Sequence, residues 1–553
     1  MKIHNSLLLA GACAALCALL PATAGAQVAT SLINEGDPLP SAGAGHTVMF
    51  INNTAVNGVG GYAATVNSSD GVTTLSHAWG SATGGPGAIL RTEGVVGIYD
   101  QQSFESFFGM DDLGQLSYGA TCTDTGSGAS GLDSVFVDGT PLSVEDQPIP
   151  SLPGKLFRFA SRPGITNDGT PYWLSGIDDA GTGANEGSGL FTPAGVLLKS
   201  GDLIAGLPAP LSTATSDFDV RFSAQGGHYI IGADTTAPTS DDFFMLLDGL
   251  PIASGAGLMG QGQPVPASAG GLPGETWAIF DFYGVNENGD YMVTGNTSAA
   301  TSSNEFISFN GTLVYREGDT VDGETLTGSI EGASMNEAGD MAYIWDVVDP
   351  IGGGSLEALF LDNDILLKEG DAVDFFGQDG VVEPNSTLAN FTGITALTVG
   401  SNRRLYFTAD IDVNGTTTSV DDIEGFFCIH APWDDLGNGL AGTGGITPLL
   451  VGDGALTTGS SASVTLSGAL PNSQAWLLFG LSQVDVPFRG GILVPSPDIV
   501  LAALPISGTG DLALATTWPA LPSNTAVTFQ YWVIDPAGPV GVSASNGLSG
   551  TTP

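Results

Sequence analysis

The segment from Asp410 to Asp421 carries the residue pattern best suited to binding a metal ion. Asp410, Asp412, Asn414 and Gly415 reproduce the D-x-D-x-N-G start of a calcium loop, and Asp421 stands at the twelfth position. Oxygen atoms at alternating positions can converge on Ca²⁺, while glycine permits the sharp turn. The sequence shows no flanking EF-hand helices, and the last ligand is Asp rather than Glu, so a plain acidic hairpin loop is the competing interpretation. The prediction is a Ca²⁺ site formed by Asp410, Asp412, Asn414 and Asp421.

Other acidic residues recur in loops at comparable positions along the chain. These are Asp178 with Asp179, Asp234 with Asp241 and Asp242, and Asp346 with Asp349. Paired carboxylates are what glycosidases use to break a glycosidic bond. Solvated loops explain the same repetition without chemistry, and we favour that interpretation.

The remaining chemistry-bearing residues form no recognised motif. His46, His77, His228 and His430 are scattered, with no pair four residues apart and no metal-spaced cysteine beside them, so we expect no zinc site. Nucleophile-elbow, P-loop and dinucleotide-binding patterns are absent from the sequence. The pattern therefore predicts no catalytic and no cofactor-binding residues.

One short sequence pattern, the repeat phrase, recurs along the chain. It indicates the strands that must position the acidic loops described above. A short apolar strand is followed by a polar residue, Gly and often Asp, as in 31–37, 196–202, 313–319 and 365–371, with weaker copies at 89–94, 142–146 and 251–255. The period is about 55 residues, close to that of kelch-type propellers. Each interval also holds an Asn or Asp turn with a following Gly, such as Asn286–Gly289. A second turn, Asp-Gly or Asn-Gly, precedes the next phrase, and both kinds of turn favour strand-to-strand hairpins.

These markers predict an all-β fold, a seven-bladed β-propeller with four strands per repeat. The last repeat lacks its fourth strand, and residues 28–37 supply a matching one at the other end of the chain. We therefore expect the N-terminal strand to close the last blade, because closure removes exposed sheet edges. The alternative architecture is a β-solenoid, although solenoid repeats are usually shorter.

The ends of the chain suggest export and a second domain. Residues 1–26 have one Lys, an apolar run and a small-residue cleavage site, so they are predicted to be a signal peptide, which makes the mature protein secreted: extracellular, at the cell surface or periplasmic. The propeller is assigned to residues 27–433, a linker to 434–445 and a C-terminal β-sandwich to 446–553, where apolar and polar residues alternate between turns.

The C-terminal domain resembles a module found on many large secreted bacterial proteins. The resemblance rests on residues 487–495, 517–519 and 544–548, and it covers about the last hundred residues. The repeat region is similar to uncharacterised secreted tandem-repeat proteins of the same bacteria. The resemblance implies a shared architecture and no activity.

Charge limits the partners that the protein can take. The chain has 12 Lys and Arg against 58 Asp and Glu, a formal net charge of −46. Such a surface repels phosphate backbones and anionic lipids, so nucleic acid and membrane surfaces are poor partners. No apolar run outside the first 26 residues is long enough to span a membrane.

Two cysteines remain after signal cleavage, Cys122 and Cys428. The repeat register places them in the second and the seventh repeat, too far apart for a disulfide. We expect two unpaired, buried thiols.

The function favoured by the sequence is a monomeric, non-catalytic binding or scaffold protein that presents propeller loops to a protein or glycan ligand. The alternative is a propeller enzyme that acts on extracellular glycans. The two differ in whether acidic side chains from several blades converge.

Overall fold

The computed structural model describes residues 29–212, 219–238, 240–255, 257–376, 382–383, 385–393, 404–415, 422–430, 432–454, 456, 458–522 and 525–552. Within these ranges the fold is all-β, as predicted, and the helices are three short 3-10 turns, Ala267–Ala269, Thr443–Gly445 and Pro539–Gly541. None of the helices in these ranges could cross a membrane. The predicted signal peptide and Asp421 lie outside the described residues.

The described chain divides into two compact units, Ala29–Ile429 and one that contains His430–Pro553. The described part of the first unit contains seven main antiparallel sheets, and six of them are built from strands that follow one another along the chain. Sheet 1 comprises β2 (Thr47–Val56), β3 (Tyr62–Ser69), β4 (Thr74–Ser81) and β5 (Ala88–Thr92). Sheet 2 comprises β6 (Gly94–Val96), β7 (Tyr99–Met110), β8 (Leu116–Asp124), β9 (Leu132–Val137) and β10 (Thr140–Val144). Sheet 3 comprises β11 (Lys155–Ile165), β12 (Pro171–Asp179), β13 (Asn185–Thr192) and β14 (Gly195–Lys199).

Sheets 4 to 7 repeat the same order. Sheet 4 comprises β15 (Asp219–Phe222), β16 (Tyr229–Asp234), β17 (Phe243–Leu247) and β18 (Leu250–Pro251), followed by the small hairpin β19 (Ala253–Ser254) and β20 (Gly257–Leu258). Sheet 5 comprises β21 (Trp277–Val285), β22 (Tyr291–Thr297), β23 (Glu305–Phe309) and β24 (Thr312–Arg316). Sheet 6 comprises β25 (Thr320–Val321), β26 (Glu324–Met335), β27 (Met341–Val348), β28 (Ser355–Leu361) and β29 (Asp364–Lys368). Sheet 7 comprises β30 (Thr387–Gly393), β31 (Arg404–Asp412), β32 (Ile423–His430) and the N-terminal strand β1 (Thr30–Asn34). We number the strands of each sheet from first to fourth in this order, leaving out the short additional strands β6 of sheet 2 and β25 of sheet 6.

The N-terminal strand pairs with the third strand of sheet 7. β1 runs antiparallel to β32, with Thr30 opposite Cys428 and Asn34 opposite Gly425. Ile33 is buried in a hydrophobic cluster that also contains Val48 of sheet 1 and Phe426 of sheet 7. The first strand of the chain therefore supplies the fourth strand of the last sheet, the pairing that the repeat pattern predicts.

Turn chemistry explains why the repeat recurs. Asp138, Asp248, Asn310 and Asp362, at the third-to-fourth strand hairpins, all adopt the left-handed backbone conformation that these residue types tolerate. In each of the four hairpins the side-chain oxygen also accepts the amide of the residue that starts the second strand: Leu116, Tyr229, Tyr291 and Met341. The predicted hairpins are confirmed at these positions.

The Gly-Asp phrase joins consecutive sheets. At Gly318–Asp319 the Asp carboxylate accepts the Arg316 amide at 2.9 Å. The Gly318 amide donates to the Leu326 carbonyl, and the Leu326 amide donates to the Asp319 carbonyl, both at 2.9 Å. The same three bonds recur at Gly36–Asp37, Gly201–Asp202 and Gly370–Asp371. The phrase is thus a clasp between the end of one sheet and the start of the next.

The second unit contains two facing sheets and a hairpin. The larger sheet comprises β33 (Trp433–Gly437), β43 (Gly547–Thr551), β41 (Ala526–Ile534), β36 (Gln474–Gly480) and β39 (Ile499–Pro505), with β42 (Val542–Ala544) paired to β41. The smaller sheet comprises β34 (Leu449–Asp453), β35 (Ser461–Ser467) and β40 (Leu512–Thr517), and the hairpin comprises β37 (Gln483–Phe488) and β38 (Gly491–Pro495). One hydrophobic cluster, which includes Leu466, Phe479 and Phe529, lies between the two sheets.

The boundary between the units differs from the sequence interpretation. β33 pairs with β43, although most of β33 falls in the range 434–445 that the sequence assigns to a linker. The sequence pattern did not predict this strand, because it contains the polar residues Asp434 and Asp435. Its pairing partner also lies more than a hundred residues further along the chain.

Candidate functional site

Acidic side chains stand at matching positions on the inner strands of sheets 5, 6 and 7. Glu305 lies opposite Asn296, and Glu357 lies opposite Asp346, on the third and second strands of sheets 5 and 6. The fourth strands add the Glu of the repeat phrase, whose amide donates to the third-strand carbonyl: Glu317 to Glu305, Glu369 to Glu357 and Glu35 to Glu424. The corresponding third-strand residues of sheets 1, 2 and 3 are Ser76, Asp133 and Ser188.

The first strands of sheets 5 and 6 carry two further carboxylates, which interact electrostatically with these glutamates. Asp281 and Glu331 both lie where the pairing register of their strand shifts, between Phe280 and Tyr283 and between Ile330 and Gly332. Both are exposed to solvent. We define the acidic cluster as Asp281, Glu305, Glu331, Asp346 and Glu357.

Two members of the acidic cluster, one buried and one partly buried, have strongly raised pKa values. Burial raises the pKa of Glu305 to about 7, and repulsion from Asp281, Glu317 and Glu331 acts in the same direction. Burial likewise raises the pKa of Glu357 to about 7, with added repulsion from Glu331, Asp346 and Glu369. Glu331 therefore lies near both groups, although it belongs to a different strand from either. Carboxyl groups that hold their protons near neutral pH are characteristic of functional sites, although structural networks produce them too.

Asp281 shows that part of the cluster is open to solvent. Its side chain is exposed, yet desolvation raises its pKa. This combination is expected for a carboxylate in a recess that water enters. Burial also raises the pKa of Asp346, against the hydrogen bond that its carboxylate accepts from the Ser329 amide.

Two of the third-strand glutamates also bind the neighbouring sheet. Glu357 Oε2 accepts the Phe391 amide of sheet 7 at 2.6 Å, and Glu424 Oε2 accepts the Ile51 amide of sheet 1 at 3.3 Å. Both amides lie at register shifts in the first strand of their sheet, which free them from the ladder. These carboxylates therefore have a structural role whatever else they do.

The predicted calcium residues divide between two environments. Asp410 lies on β31, where burial and repulsion from Asp422 raise its pKa. Asp412 ends that strand, and its Oδ1 accepts the amides of Asn414 and Gly415 at 2.9 Å and 2.7 Å. Asn414 is exposed, and Asp421 lies outside the described residues.

Asp412 belongs to a family of turn residues. Asp70, Asp124, Asp179 and Asp349 occupy the same second-to-third strand loop in other sheets, and each accepts the amides two and three residues further on. These contacts stabilise a tight turn and occupy carboxylate lone pairs. Across the described ranges, no group of three or more His, Cys, Asp or Glu is arranged to hold a metal ion.

The other loop acids have mixed surroundings. Asp179 receives hydrogen bonds from Lys155 and Thr182, which lower its pKa to about 2, and Asp178 lies 3.8 Å from Arg158 Nε. Asp346 belongs to the acidic cluster. Asp349 is a turn residue, and Asp241 and Asp242 lie in the loop before β17.

The sequence analysis missed a histidine pair and the members of the cluster. His46 Nδ1 and His77 Nε2 both contact Ser68 Oγ, at 2.9 Å and 2.8 Å, although the two histidines are far apart in the chain. Ser68 and His77 are fully buried, so no substrate reaches this network. No sequence motif marked Glu305, Glu331 or Glu357 as candidate site residues. The nearest signal was the repeat itself, because Glu305 and Glu357 each lie twelve residues before the Glu of a Glu-Gly-Asp phrase, at Glu317 and Glu369.

Comparison with known proteins adds little to this geometry. No family model and no curated protein matches the chain. Among solved structures, the chain is similar to polysaccharide lyase Uly1, with TM-score 0.23 and 10% identity over 67% of this chain and 85% of that one. It is also similar to the GH32 β-fructofuranosidase BmSUC1 of Bombyx mori, with TM-score 0.21 and 11% identity over 69% of this chain and 86% of that one. Such low TM-scores support no argument about this protein.

Proposed function

We propose that residues 29–429 form a closed, seven-bladed β-propeller, and that residues 446–553 are the core of a C-terminal β-sandwich. Support comes from the seven antiparallel sheets of four or five strands, from the β1–β32 pairing and from the cluster shared by sheets 7 and 1. Further hydrophobic clusters lie between consecutive sheets, such as Phe157 with Val135 and Trp277 with Met245. Because residues 1–26 are predicted to be a signal peptide, we propose that the protein is secreted, as are the bacterial repeat proteins that it resembles.

The function that we propose is hydrolysis of extracellular glycans at the acidic cluster. The observation that carries this proposal is the convergence of carboxyl groups from sheets 5 and 6, two of which have a pKa of about 7. Glycoside hydrolysis needs a protonated carboxylic acid beside an ionised carboxylate. The cluster offers two different environments for these roles, because burial raises the pKa of Glu305 and Glu357 to about 7 while Glu331 is exposed to water.

The roles follow from these environments. Glu357 or Glu305 would donate a proton to the oxygen of the leaving sugar, which a carboxyl group of ordinary pKa could not do near pH 7. The Glu331 carboxylate would act on the other side of the bond, as a base toward water or as a nucleophile at the anomeric carbon.

Charge narrows the substrate class. A chain with a net charge of −46 and an acidic site repels uronate-rich or sulfated polymers. We therefore propose neutral polysaccharides as the substrates.

The test is release of reducing ends from a panel of neutral polysaccharides, including glucans, mannans, galactans and fructans. Glu331→Gln should lower kcat at least about a hundredfold, as loss of acid–base or nucleophilic catalysis does. The matched control is Glu145→Gln, because Glu145 occupies the repeat position in sheet 2 and accepts the Asp133 amide. No product from any polymer, or equal rates in the wild type and Glu331→Gln, would refute hydrolysis.

A second candidate function is the non-catalytic binding or scaffold role that the sequence favours. The observation in its favour is that Glu357 and Glu424 each accept an amide from the next sheet, so these carboxylates have a structural role in joining sheets. Binding of a glycan by the wild type and by Glu331→Gln with equal affinity, and without product, would support this role.

A Ca²⁺ site at Asp410, Asp412, Asn414 and Asp421 stays a proposal. Calorimetric titration with CaCl₂ should give heat for the wild type and none for Asp412→Ala. Asp349→Ala is the matched control, because it removes an equivalent turn carboxylate from sheet 6. Equal heats for the two variants, or none for the wild type, would remove the site.

A further inference from the structure

Two imidazole rings share one serine hydroxyl in sheet 1. His46 Nδ1 lies 2.9 Å from Ser68 Oγ, and His77 Nε2 lies 2.8 Å from the same oxygen. Ser68 and His77 lie on the adjacent strands β3 and β4, whereas His46 lies in the segment between β1 and β2. His77 Nδ1 continues the network to Thr92 Oγ1 on β5, at 3.0 Å. The network therefore ties the segment before β2 to three strands of sheet 1.

The number of hydrogen atoms in this network limits its charge. A serine hydroxyl donates one hydrogen bond, while an imidazolium carries a hydrogen on both ring nitrogens and accepts none. If both histidines were protonated, both rings would donate to Ser68 Oγ, and the hydroxyl hydrogen would have no acceptor among the described residues. Ser68 is fully buried, so bulk water does not supply that acceptor. The complete network therefore holds at most one imidazolium, because a buried unpaired hydroxyl and two neighbouring charges both cost free energy.

The surroundings favour charge on His46 over charge on His77. Asp70, in the turn that follows β3, faces His46, and backbone hydrogen bonds together with attraction to His46 lower the pKa of Asp70. Burial lowers the pKa of His77, and a positive charge on His46 lowers it further. Glu93, which follows β5, accepts a backbone amide of β4 at 3.1 Å. Thr92, the other partner of His77, is uncharged. The second proton is therefore the one that the network resists.

His46 anchors the segment 38–46, which joins the N-terminal strand β1 to sheet 1. The Leu39 amide donates to the His46 carbonyl at 2.8 Å, and Leu39 is buried in the cluster that sheets 7 and 1 share. A Cβ at Gly43 would lie 3.1 Å from His46 Cδ2, so the segment folds tightly against the ring. Asp37, the titratable group before this segment, accepts an amide of β1 at 2.9 Å. A displacement of His46 therefore loosens the connection between the N-terminal strand and sheet 1.

We propose that His46, Ser68 and His77 form a pH-sensitive latch that releases the segment 38–46 in acid. With one imidazolium or none, the network is complete and the segment stays against sheet 1. The second proton replaces an acceptor by a donor at Ser68 Oγ, so one ring must leave. His46 leaves, because it lies on a loop while His77 lies on a paired strand. The latch is independent of hydrolysis at the acidic cluster.

The direction of the pH effect follows from proton uptake. A histidine free in solution has a pKa of about 6.5, and burial holds the pKa of His77 below its usual value. The open state therefore binds more protons than the closed state as pH falls below about 6.5, so acid favours opening. Uptake of one proton changes the opening equilibrium about tenfold for each pH unit in this window.

The test is hydrogen–deuterium exchange of the full chain at pH 7.5 and pH 5.5, corrected for the intrinsic effect of pH on exchange. Protection of peptides that cover 38–46 should fall about tenfold at pH 5.5. Peptides that cover the equivalent clasp at 319–326 contain no histidine and should keep their protection. Local exchange is measured in place of Tm, because buried glutamates of sheets 5 and 6 also titrate near neutral pH.

Three variants identify the groups responsible. His77→Gln keeps a side chain that can donate to or accept from Ser68 but takes up no proton, so protection of the segment should be the same at both pH values. Ser68→Ala removes the shared oxygen and should lower protection at both pH values. His228→Gln is the matched control, because it removes a partly exposed imidazole of sheet 4 and should keep the wild-type response.

A measurement on the wild type keeps the test decisive if His77→Gln does not fold. In NMR spectra of the ¹³C-histidine-labelled protein, His46 and His77 should not both be imidazolium while the segment 38–46 is protected. The proposal would be overturned by protection that does not change with pH in the wild type, by an equal decrease in a folded His77→Gln variant, by wild-type protection in Ser68→Ala, or by two imidazolium signals in the closed state.

Discussion

The carboxylates of this protein fall into two groups according to their surroundings. Turn aspartates such as Asp70 and Asp349 accept backbone amides in exposed loops, and these hydrogen bonds lower their pKa. Third-strand glutamates such as Glu305 and Glu357 lie between sheets, where burial raises their pKa. The same functional group therefore loses its proton more readily in the loops than between the sheets.

The raised pKa values predict that folding stability falls as pH rises. A carboxyl group with a folded-state pKa of about 7 and an unfolded value of 4.5 contributes stability that is fully present below pH 4.5 and is lost as pH rises through 7. The shift corresponds to about 3 kcal/mol for buried Glu305 and to less for Glu357, which is partly exposed. Urea unfolding at pH 5 and pH 8 should show the decrease, and Glu305→Gln should reduce it by raising stability at pH 8.

Glu287 provides a control, because its pKa is shifted in the opposite direction to that of Glu305. Burial alone would raise its pKa, but hydrogen bonds from Ser223 and from the Gln225 and Gly227 amides together lower it. Glu287→Gln should therefore lose stability at pH 8 and change little below the folded-state pKa. An identical pH slope for the wild type, Glu305→Gln and Glu287→Gln would contradict the assignment.

Neither cysteine should react in the native protein. Cys122 lies on β8 of sheet 2 and Cys428 on β32 of sheet 7, and no disulfide joins them, as predicted. Cys122 is fully buried, while Cys428 is only partly buried as a residue and yet has a desolvated thiol whose pKa is raised to about 11. Thiol titration without reductant should find two reactive groups in denaturant and none in native buffer. A mapped Cys122–Cys428 disulfide would contradict the register.

At the scale of elements, the sheets depend on clasps that residues distant in sequence complete. The Gly-Asp clasp ties the last strand of one sheet to the first strand of the next, so each sheet stabilises its neighbour. β1 is the extreme case, because its partner β32 lies nearly four hundred residues away. Sheet 7 therefore forms only when both ends of the first unit meet.

Deletion of residues 27–37 should expose the edge of β32 and destabilise the first unit. The loss includes the burial of Ile33 and the pairing of β1, together at least about 3 kcal/mol. Thermal unfolding should show a lower Tm, and a synthetic peptide of residues 27–37 added in trans should raise it again. A peptide with Ile33→Asp is the matched control and should have no effect. An unchanged Tm after the deletion would refute closure by β1.

At the scale of the whole molecule, charge opposes folding. A net charge of −46 on 553 residues creates self-repulsion that is stronger in the compact state than in the unfolded chain. Added salt screens this repulsion over a Debye length of about 10 Å at 0.1 M and less at higher concentration.

Stability should therefore rise with ionic strength. Between 50 mM and 1 M NaCl we expect Tm to increase by a few degrees at pH 8, and by less at pH 5, where more carboxylates are protonated. Sucrose at matched osmolality is the control, because it leaves electrostatic repulsion in place. Equal increases in salt at the two pH values would show that screening of carboxylates is not the cause.

The sequence by itself determined the β class, the repeat and the turns. Asn-Gly, Asn-x-x-Gly and Gly-Asp act through contacts within a few residues, so their positions at Asn310, Asn336 and Asp319 could be predicted from local chemistry. The N-terminal strand was also predictable, because the last repeat lacked a strand that residues 28–37 could supply.

Only the tertiary structure decided which residues meet. Glu305 and Glu357 acquire their pKa values from burial between sheets and from Glu331, which lies on a different strand from either. β33 pairs with β43 across most of the second unit, and His46 meets His77 only because both rings contact Ser68. Desolvation and repulsion depend on distances in space, and a sequence pattern encodes only neighbours along the chain.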